Sequence, residues 1–200
     1  GGGAPIQGIK DYGFDVGGPI VKGKMWYWGS YGTQDIKVGV VGFYKNTPAC
    51  RPGGSALNAR TADDELIRSC LETDLTTLNN YNWKLTYVPF QNNRLNFQNT
   101  WAEKVRNARD ASDTRPIETT FRQKAVSSDF GTFGWLTGPS PFWKAGDQHV
   151  INDRWLVDVM WSHLGNNFTL DFHEDELADV QARFETSTSA WSRSFQQSIF

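Results

Sequence analysis

One stretch of alternating side chains, residues 78–101, limits what this chain can fold into more than any other part of the sequence. Its apolar positions are Tyr81, Trp83, Leu85, Tyr87, Leu95, Phe97 and Trp101. Its polar positions are Asn80, Asn82, Lys84, Thr86, Asn96, Gln98 and Thr100. Because a strand sends successive side chains to opposite faces, the stretch predicts a β-hairpin with one apolar and one polar face. The turn-forming residues 89–93 mark its reversal.

The flanking sequence predicts further strands joined by turns. Tyr12–Ile20 and Met25–Tyr31 flank a turn at residues 21–24. Residues 139–150 and 155–163 flank a turn at residues 151–154, and residues 191–200 are a candidate seventh strand. Residues 1–10 are expected to be an unstructured lead-in.

A short helix is expected within residues 61–71. Thr61 followed by Asp64 is a plausible helix start. Leu66, Ile67, Cys70 and Leu71 would share one helical face.

The lengths of the predicted connections alternate. Short connections occupy residues 21–24, 89–93 and 151–154, and long ones occupy residues 32–75, 106–138 and 165–189. Loops longer than about 15 residues are uncommon in compact soluble domains, whereas outer-membrane barrels join short periplasmic turns to long extracellular loops. The rhythm therefore predicts an all-β fold: about six or seven strands of an antiparallel up-and-down transmembrane β-barrel with long extracellular loops.

Composition narrows the function class and leaves one alternative open. Aromatic residues make up 14% of the chain, with nine Trp, while the mean hydropathy is −0.53. This combination fits a barrel, in which only alternate residues face lipid, and it also fits a secreted soluble β-sandwich that binds glycans through Trp. The net charge of −2 argues against a nucleic-acid partner.

Few residues are candidates for site chemistry. Cys50 and Cys70 are the only cysteines and lack zinc-ligand spacing, so in an exported protein they are expected to form a loop disulfide. His173–Glu176 could capture a hard cation, but a solvated acidic loop is the favoured interpretation. His149 and His163 are expected to be ordinary hydrogen-bonded histidines. No catalytic constellation is recognisable, so the sequence predicts neither an enzyme nor a cofactor.

Asp11–Tyr31 resembles the opening barrel hairpin of TonB-dependent outer-membrane receptors. The most specific piece is the Gly-Gly-Pro-Ile-Val-Lys turn at residues 17–22 with the aromatic strand after it. The similarity is greatest to the subgroup with an N-terminal carboxypeptidase-regulatory-like domain, and residues 79–90 and 144–149 resemble it too.

The resemblance implies a location in the outer membrane of a Gram-negative type bacterium and a 22-stranded barrel closed by a plug. Residues 11–200 would be the first third of that barrel, without the plug, the TonB box and the remaining strands. The implied partners are outer-membrane lipid, the inner-membrane TonB complex (through the missing N-terminal part) and a substrate. That substrate would be a siderophore, vitamin, metal complex or oligosaccharide. Six polar residues would then line the lumen: Asn80, Asn82, Lys84, Thr86, Asn96 and Gln98.

Overall fold

The computed structural model describes residues 3–58, 60–126, 142–165 and 167–194. Its strands are β1 (Ile6–Val21), β2 (Met25–Tyr44), β3 (Leu71–Phe90), β4 (Asn93–Arg106), β5 (Arg122–Val126), β6 (Phe142–Asn152), β7 (Trp155–Leu164), β8 (Asn167–Asp171), β9 (Arg183–Glu185) and β10 (Ala190–Ser192). One α-helix, α1, spans Asp64–Cys70, and short 3-10 turns occupy Pro52–Gly54, Ile117–Thr119 and Asp175–Asp179.

Six strands form one antiparallel up-and-down sheet in the order β1-β2-β3-β4-β6-β7. β4 pairs with β6 over residues 93–99 and with β5 over residues 103–106, and β5 pairs in turn with β8. The predicted all-β class is therefore confirmed. The sheet is open: within the described part of the chain, β1 and β7 each pair with one strand only.

The predicted central hairpin is confirmed as β3 and β4. Lys84 pairs with Gln98, and Leu85 pairs with Phe97. The turns at residues 22–24 and 153–154 also agree with the sequence analysis. Residues 139–141 of the fifth predicted strand lie outside the described residues.

Three predicted boundaries are wrong in the same direction, because β1, β2 and β3 are all longer than the alternation suggests. β1 begins at Ile6, inside the expected lead-in, where it pairs with Val38 of β2. β2 continues to Tyr44 and β3 begins at Leu71, so the first long connection is residues 45–70 rather than 32–75. After Thr33 the apolar residues shift from odd-numbered to even-numbered positions, as at Ile36 and Val38. The alternation used to predict strands therefore ends there, although the strand continues.

The alternation of connection lengths places all short turns at one end of the sheet, called here the turn end. The long connections that leave β2, β4 and β7 begin at the opposite end, called here the loop end.

Residues 45–70, called here the disulfide lobe, pack onto the loop end. Helix α1 is confirmed within the predicted range, but its N-cap is Asp63 rather than Thr61. The Asp63 carboxylate accepts hydrogen bonds from the backbone N–H groups of Glu65 (2.8 Å) and Leu66 (3.4 Å). The helix ends at Cys70, whose buried side chain packs with Tyr44 and Leu71 in a small core.

The expected seventh strand, residues 191–200, is not part of the sheet over its described residues. Ala190–Ser192 pairs instead with Arg183–Glu185 in a separate two-stranded ribbon at the loop end. Residues 195–200 of that prediction lie outside the described residues. No helix in the described residues is long and apolar enough to cross a membrane.

Candidate functional site: the two faces of the sheet

The register of the six-stranded sheet sorts most of its side chains into two chemically different faces, although Trp26 and Trp28 of β2 lie on the polar face. The apolar face carries aromatic and aliphatic residues from every strand: Phe14, Val16, Tyr27, Tyr31, Tyr81, Trp83, Leu85, Tyr87, Leu95, Phe97, Trp101, Trp143, Val159 and Trp161. All six residues predicted from sequence to share the polar face do so, on β3 and β4.

Two rows of aromatic rings cross the strands on the apolar face. In the first row, nearer the loop end, the ring centroids of Tyr31 and Tyr81 are 4.9 Å apart and those of Tyr81 and Trp101 are 5.1 Å apart. In the second row, Trp83 lies 5.1 Å from Phe97, and Trp143 lies 5.3 Å from Trp161. Such contacts stabilise neighbouring strands by roughly 0.5–1.5 kcal/mol each beyond simple burial.

The apolar band has a sharp boundary toward the loop end. There the same face becomes polar, because Thr33 donates a hydrogen bond to Asn79 (2.7 Å) and Asn79 donates one to Glu103 (3.4 Å). Toward the turn end the band extends to the cross-strand pair of Met25 and Tyr87. From Met25 to Thr33 it spans eight residue steps, which is about 26 Å of strand.

Much of this band is uncovered in the described part of the chain, although Trp101 is only 9% exposed. Phe14 is 65% exposed and Trp161 is 70% exposed, although both lie on the apolar face. The buried apolar side chains are instead concentrated at the loop end, around the disulfide lobe. The sheet therefore presents a continuous aromatic surface to whatever surrounds it.

On the polar face, short side chains hydrogen-bond across the strands. Asn82 is the centre of this network: its Nδ2 donates to Ser30 Oγ (3.3 Å), and its Oδ1 accepts from Thr100 (2.9 Å). Thr86 donates to Asn96 in the same way (3.0 Å). These bonds satisfy the polar groups within the sheet, so most of this face offers few unused donors.

One part of the polar face differs, and it is called here the cationic cleft. It is a shallow cavity of about 430 Å³, and its lining includes three basic residues, Lys84, Arg94 and Lys144. Asn96 and Gly146, which pair with each other across β4 and β6, lie between them. Sequence reasoning identified Lys84, Asn96 and Gln98 but missed Arg94 and Lys144. The register between β4 and β6 brings these two to the cleft, and that register was not predicted from sequence.

At the loop end, Cys50 and Cys70 form a disulfide bond with a Cα–Cα distance of 5.4 Å. The bonded pair closes the disulfide lobe against the end of β2. Arg51 strengthens this junction, since its guanidinium donates to the Tyr44 carbonyl (2.9 Å) and to the Asp113 carboxylate (2.5 Å). The same carboxylate accepts the Tyr44 backbone N–H (2.9 Å).

The acidic segment around His173 does not form a cation site. Among the described residues, no three His, Cys, Asp or Glu side chains are gathered closely enough to hold a metal ion. His173 Nε2 lies 3.1 Å from Thr120 Oγ1. Burial lowers the pKa of His173 below its usual value, and the positive charge of Arg122 lowers it further.

The other two histidines have structural partners. His149 Nδ1 lies 3.2 Å from the Asn93 amide nitrogen, and His163 stacks on Trp143 with ring centroids 6.3 Å apart. His149 therefore matches the expectation of an ordinary hydrogen-bonded histidine, whereas His163 is exposed and makes a ring contact.

A scan against protein-family models, a search of curated proteins and a search of solved structures each find no match to this chain. The chemistry of the two faces is therefore the guide to function.

Proposed function

We propose that this chain forms part of the barrel wall of a TonB-dependent receptor in the outer membrane of a Gram-negative type bacterium. The observation that carries the proposal is the uncovered aromatic band on the apolar face. Its height of about 26 Å along the strand is close to the apolar band of about 25 Å in outer-membrane barrels, with some reduction for strand tilt.

The band is difficult to reconcile with a surface that faces water. Soluble monomers rarely expose contiguous apolar patches larger than a few hundred Å². Here Phe14 on one edge strand, and Val159 and Trp161 on the opposite edge strand, are each more than half exposed on the same face. Lipid would remove all of this surface from water at once.

Tyrosines near both limits of the band add to this support. Tyr31 and Tyr81 lie near its loop-end limit, and Tyr27 and Tyr87 lie near its turn-end limit. Tyr and Trp are typical of the girdles that barrels place at the two membrane–water interfaces, where one end of the side chain is apolar and the other is hydrated.

The alternative, a soluble β-sandwich that binds glycans, requires a second sheet packed on the apolar face. In the described ranges the only other sheet is the two-stranded ribbon of β9 and β10, at the loop end. The geometry therefore favours lipid over a second protein layer.

In the proposed orientation the turn end faces the periplasm and the loop end faces the outside of the cell. The disulfide bond between Cys50 and Cys70 suits this exposed, oxidising location. The long loops would capture a siderophore, vitamin, metal complex or oligosaccharide, and the polar face would line the lumen. Energy would come from the TonB complex of the inner membrane.

The open edges of the sheet fit a segment of a larger barrel. β1 and β7 each leave one edge of backbone N–H and C=O groups without a strand partner among the described residues. Lipid offers no hydrogen bonds to such groups, so further strands are required to close the wall.

Tryptophan quenching by lipids brominated on their acyl chains tests the membrane part of the proposal. In vesicles, Trp83, Trp101, Trp143 and Trp161 should be quenched, because they lie within the band. A chain carrying Trp→Phe changes at all four positions should lose most of the quenching. Equal quenching of the two chains, or a wild-type chain that folds in water and ignores the vesicles, would refute it.

The coding sequence on both sides of this segment tests the receptor part. A signal peptide and plug domain upstream, with further alternating hairpins downstream, are expected. A start codon directly before Gly1 together with a stop codon directly after Phe200 would contradict the receptor assignment.

A further inference from the structure

We infer that the cationic cleft binds a small solute carrying two or more carboxylate or phosphate groups. This deepens the proposed function, on which its place in the lumen rests, by assigning a chemical class to what the polar face binds. The register of the strands, the shape of the cleft and the balance of charge around it support this inference.

The register brings the cations to one side of the sheet from different strands. Lys84 on β3 and Lys144 on β6 both pair with Gln98 of β4, which lies between them. Their backbones are thus about two strand spacings, or roughly 10 Å, apart. Arg94 lies four residues before Gln98 on β4, about 13 Å along the strand. The three long side chains surround a triangular area of the polar face.

The β6 side of this triangle is open because Gly146, two residues from Lys144 on the same face, has no side chain. Gly146 pairs with Asn96 and contributes only backbone to the cleft. A Cβ built on Gly146 would meet its nearest neighbour, the Val159 carbonyl oxygen, at 3.7 Å, which is ordinary contact. The hollow is therefore not required by crowding of the backbone, and a larger side chain could occupy it.

The charge of the cleft is unbalanced. Asp158 is the one carboxylate among its lining residues, and it accepts a hydrogen bond from Gln148 (3.4 Å). Within the described ranges, neither Lys84 nor Arg94 forms an ion pair. Three cations against one anion leave an excess of two positive charges in a concave surface, which attracts anions of matching charge.

The surroundings suit a solute rather than a bare ion. Gln98, Gln148 and Asn96 add amide groups that can hydrogen-bond the uncharged parts of a ligand. The volume of about 430 Å³ lies within the range of small-molecule sites. Arginine additionally recognises carboxylate and phosphate groups in a bidentate manner.

The test measures the binding of citrate and pyrophosphate to the full chain in detergent micelles by isothermal titration calorimetry, with maltose as a neutral probe. Wild type should bind at least one of the anions and not maltose. Lys84→Gln with Lys144→Gln should weaken that binding by roughly tenfold or more. Lys104→Gln is the matched control, because Lys104 is on the same face of β4 about 20 Å from Gln98. It should leave the affinity within about twofold.

Gly146→Val provides a variant that changes no charge. It should fill the cleft and weaken anion binding by a similar factor, while the folded fraction stays unchanged in the same micelles. A purely electrostatic attraction of anions to the face would be insensitive to this substitution.

The inference is overturned if neither anion binds, or if Lys104→Gln weakens binding as much as the double variant does. It is also overturned if Gly146→Val leaves binding intact. Its failure can be distinguished from failure of the proposed function. A chain that passes the brominated-lipid test but binds no anion refutes the cleft alone, whereas a water-folded chain that binds citrate refutes the membrane placement alone.

Discussion

Trp161 and Ser162 are adjacent residues of β7 that point to opposite faces of the sheet, so a charge placed on each distinguishes lipid from water. We expect Trp161→Arg to destabilise the protein in lipid vesicles far more than Ser162→Arg does. Trp161 is 70% exposed and pairs with Ala145, and its main ring contact is with Trp143, 5.3 Å away.

The magnitude follows from these contacts and from depth in the band. Loss of the ring contact with Trp143 costs about 1 kcal/mol in any solvent. Trp161 lies two residues, or about 7 Å, from Val159, which is level with the turn-end limit of the band. An arginine there is between the interface and the midplane, so the charge adds about 2 kcal/mol in lipid. The total loss should be about 3 kcal/mol, against about 1 kcal/mol for a residue that faces water.

Ser162→Arg should cost at most about 1 kcal/mol, mainly from repulsion by Lys144, its cross-strand neighbour. Both variants are measured by urea unfolding in phosphatidylcholine vesicles, followed by tryptophan fluorescence and by resistance to protease. Equal losses of about 1 kcal/mol for the two variants would refute the assignment of the apolar face to lipid.

Three further predictions concern the loop end. Replacing Cys50 and Cys70 together by Ser should lower the local stability of the disulfide lobe by about 3 kcal/mol, since the bond closes a loop of 20 residues. Limited proteolysis within residues 45–70 should then be faster. An unchanged cleavage rate would count against this prediction. Asp74→Asn should cost about 1–3 kcal/mol of unfolding free energy, because the buried Asp74 accepts from both Arg106 (2.5 Å) and the Ala108 N–H (3.0 Å). The pKa of His173 is lowered in the folded state, so the unfolded state binds the proton more tightly. The free energy of unfolding should therefore be undiminished by His173 above about pH 6.5, and it should decrease as the pH falls below that value. His173→Gln should flatten that decline in pH-dependent unfolding curves, and an unaltered slope would show that another group titrates.

The central hairpin was predictable from sequence because its alternation is strict and its two faces differ in chemistry. In β3, the odd-numbered residues from Tyr81 to Tyr87 lie on one face and the even-numbered residues from Asn80 to Thr86 lie on the other. Only one pairing register keeps these two sets of side chains on separate faces. The short helix was also predictable, although Asp63 caps it rather than Thr61, since several neighbouring residues could serve as a cap.

The upper part of β2 was not predictable, for a physical reason. Between Gln34 and Val38, Ile36 lies on the same face of the sheet as the polar residues of β3 and β4. The apolar and polar positions therefore change places along one continuous strand. The cationic cleft was missed for a different reason. Lys144 and Arg94 are far from Lys84 in sequence, and only the pairing of β6 with β4 brings them to the same cleft.

The length of β2 has a consequence for the geometry at the cell surface. Residues 34–44 continue past the loop-end limit of the band for about 36 Å of strand, or somewhat less in height when the strand is tilted. In the proposed orientation, β2 and its partner β3 therefore rise above the lipid headgroups before the connection between them begins. The disulfide lobe would lie at the end of this extension of β2, above the membrane surface. A protein as large as an antibody could bind it there without touching the bilayer.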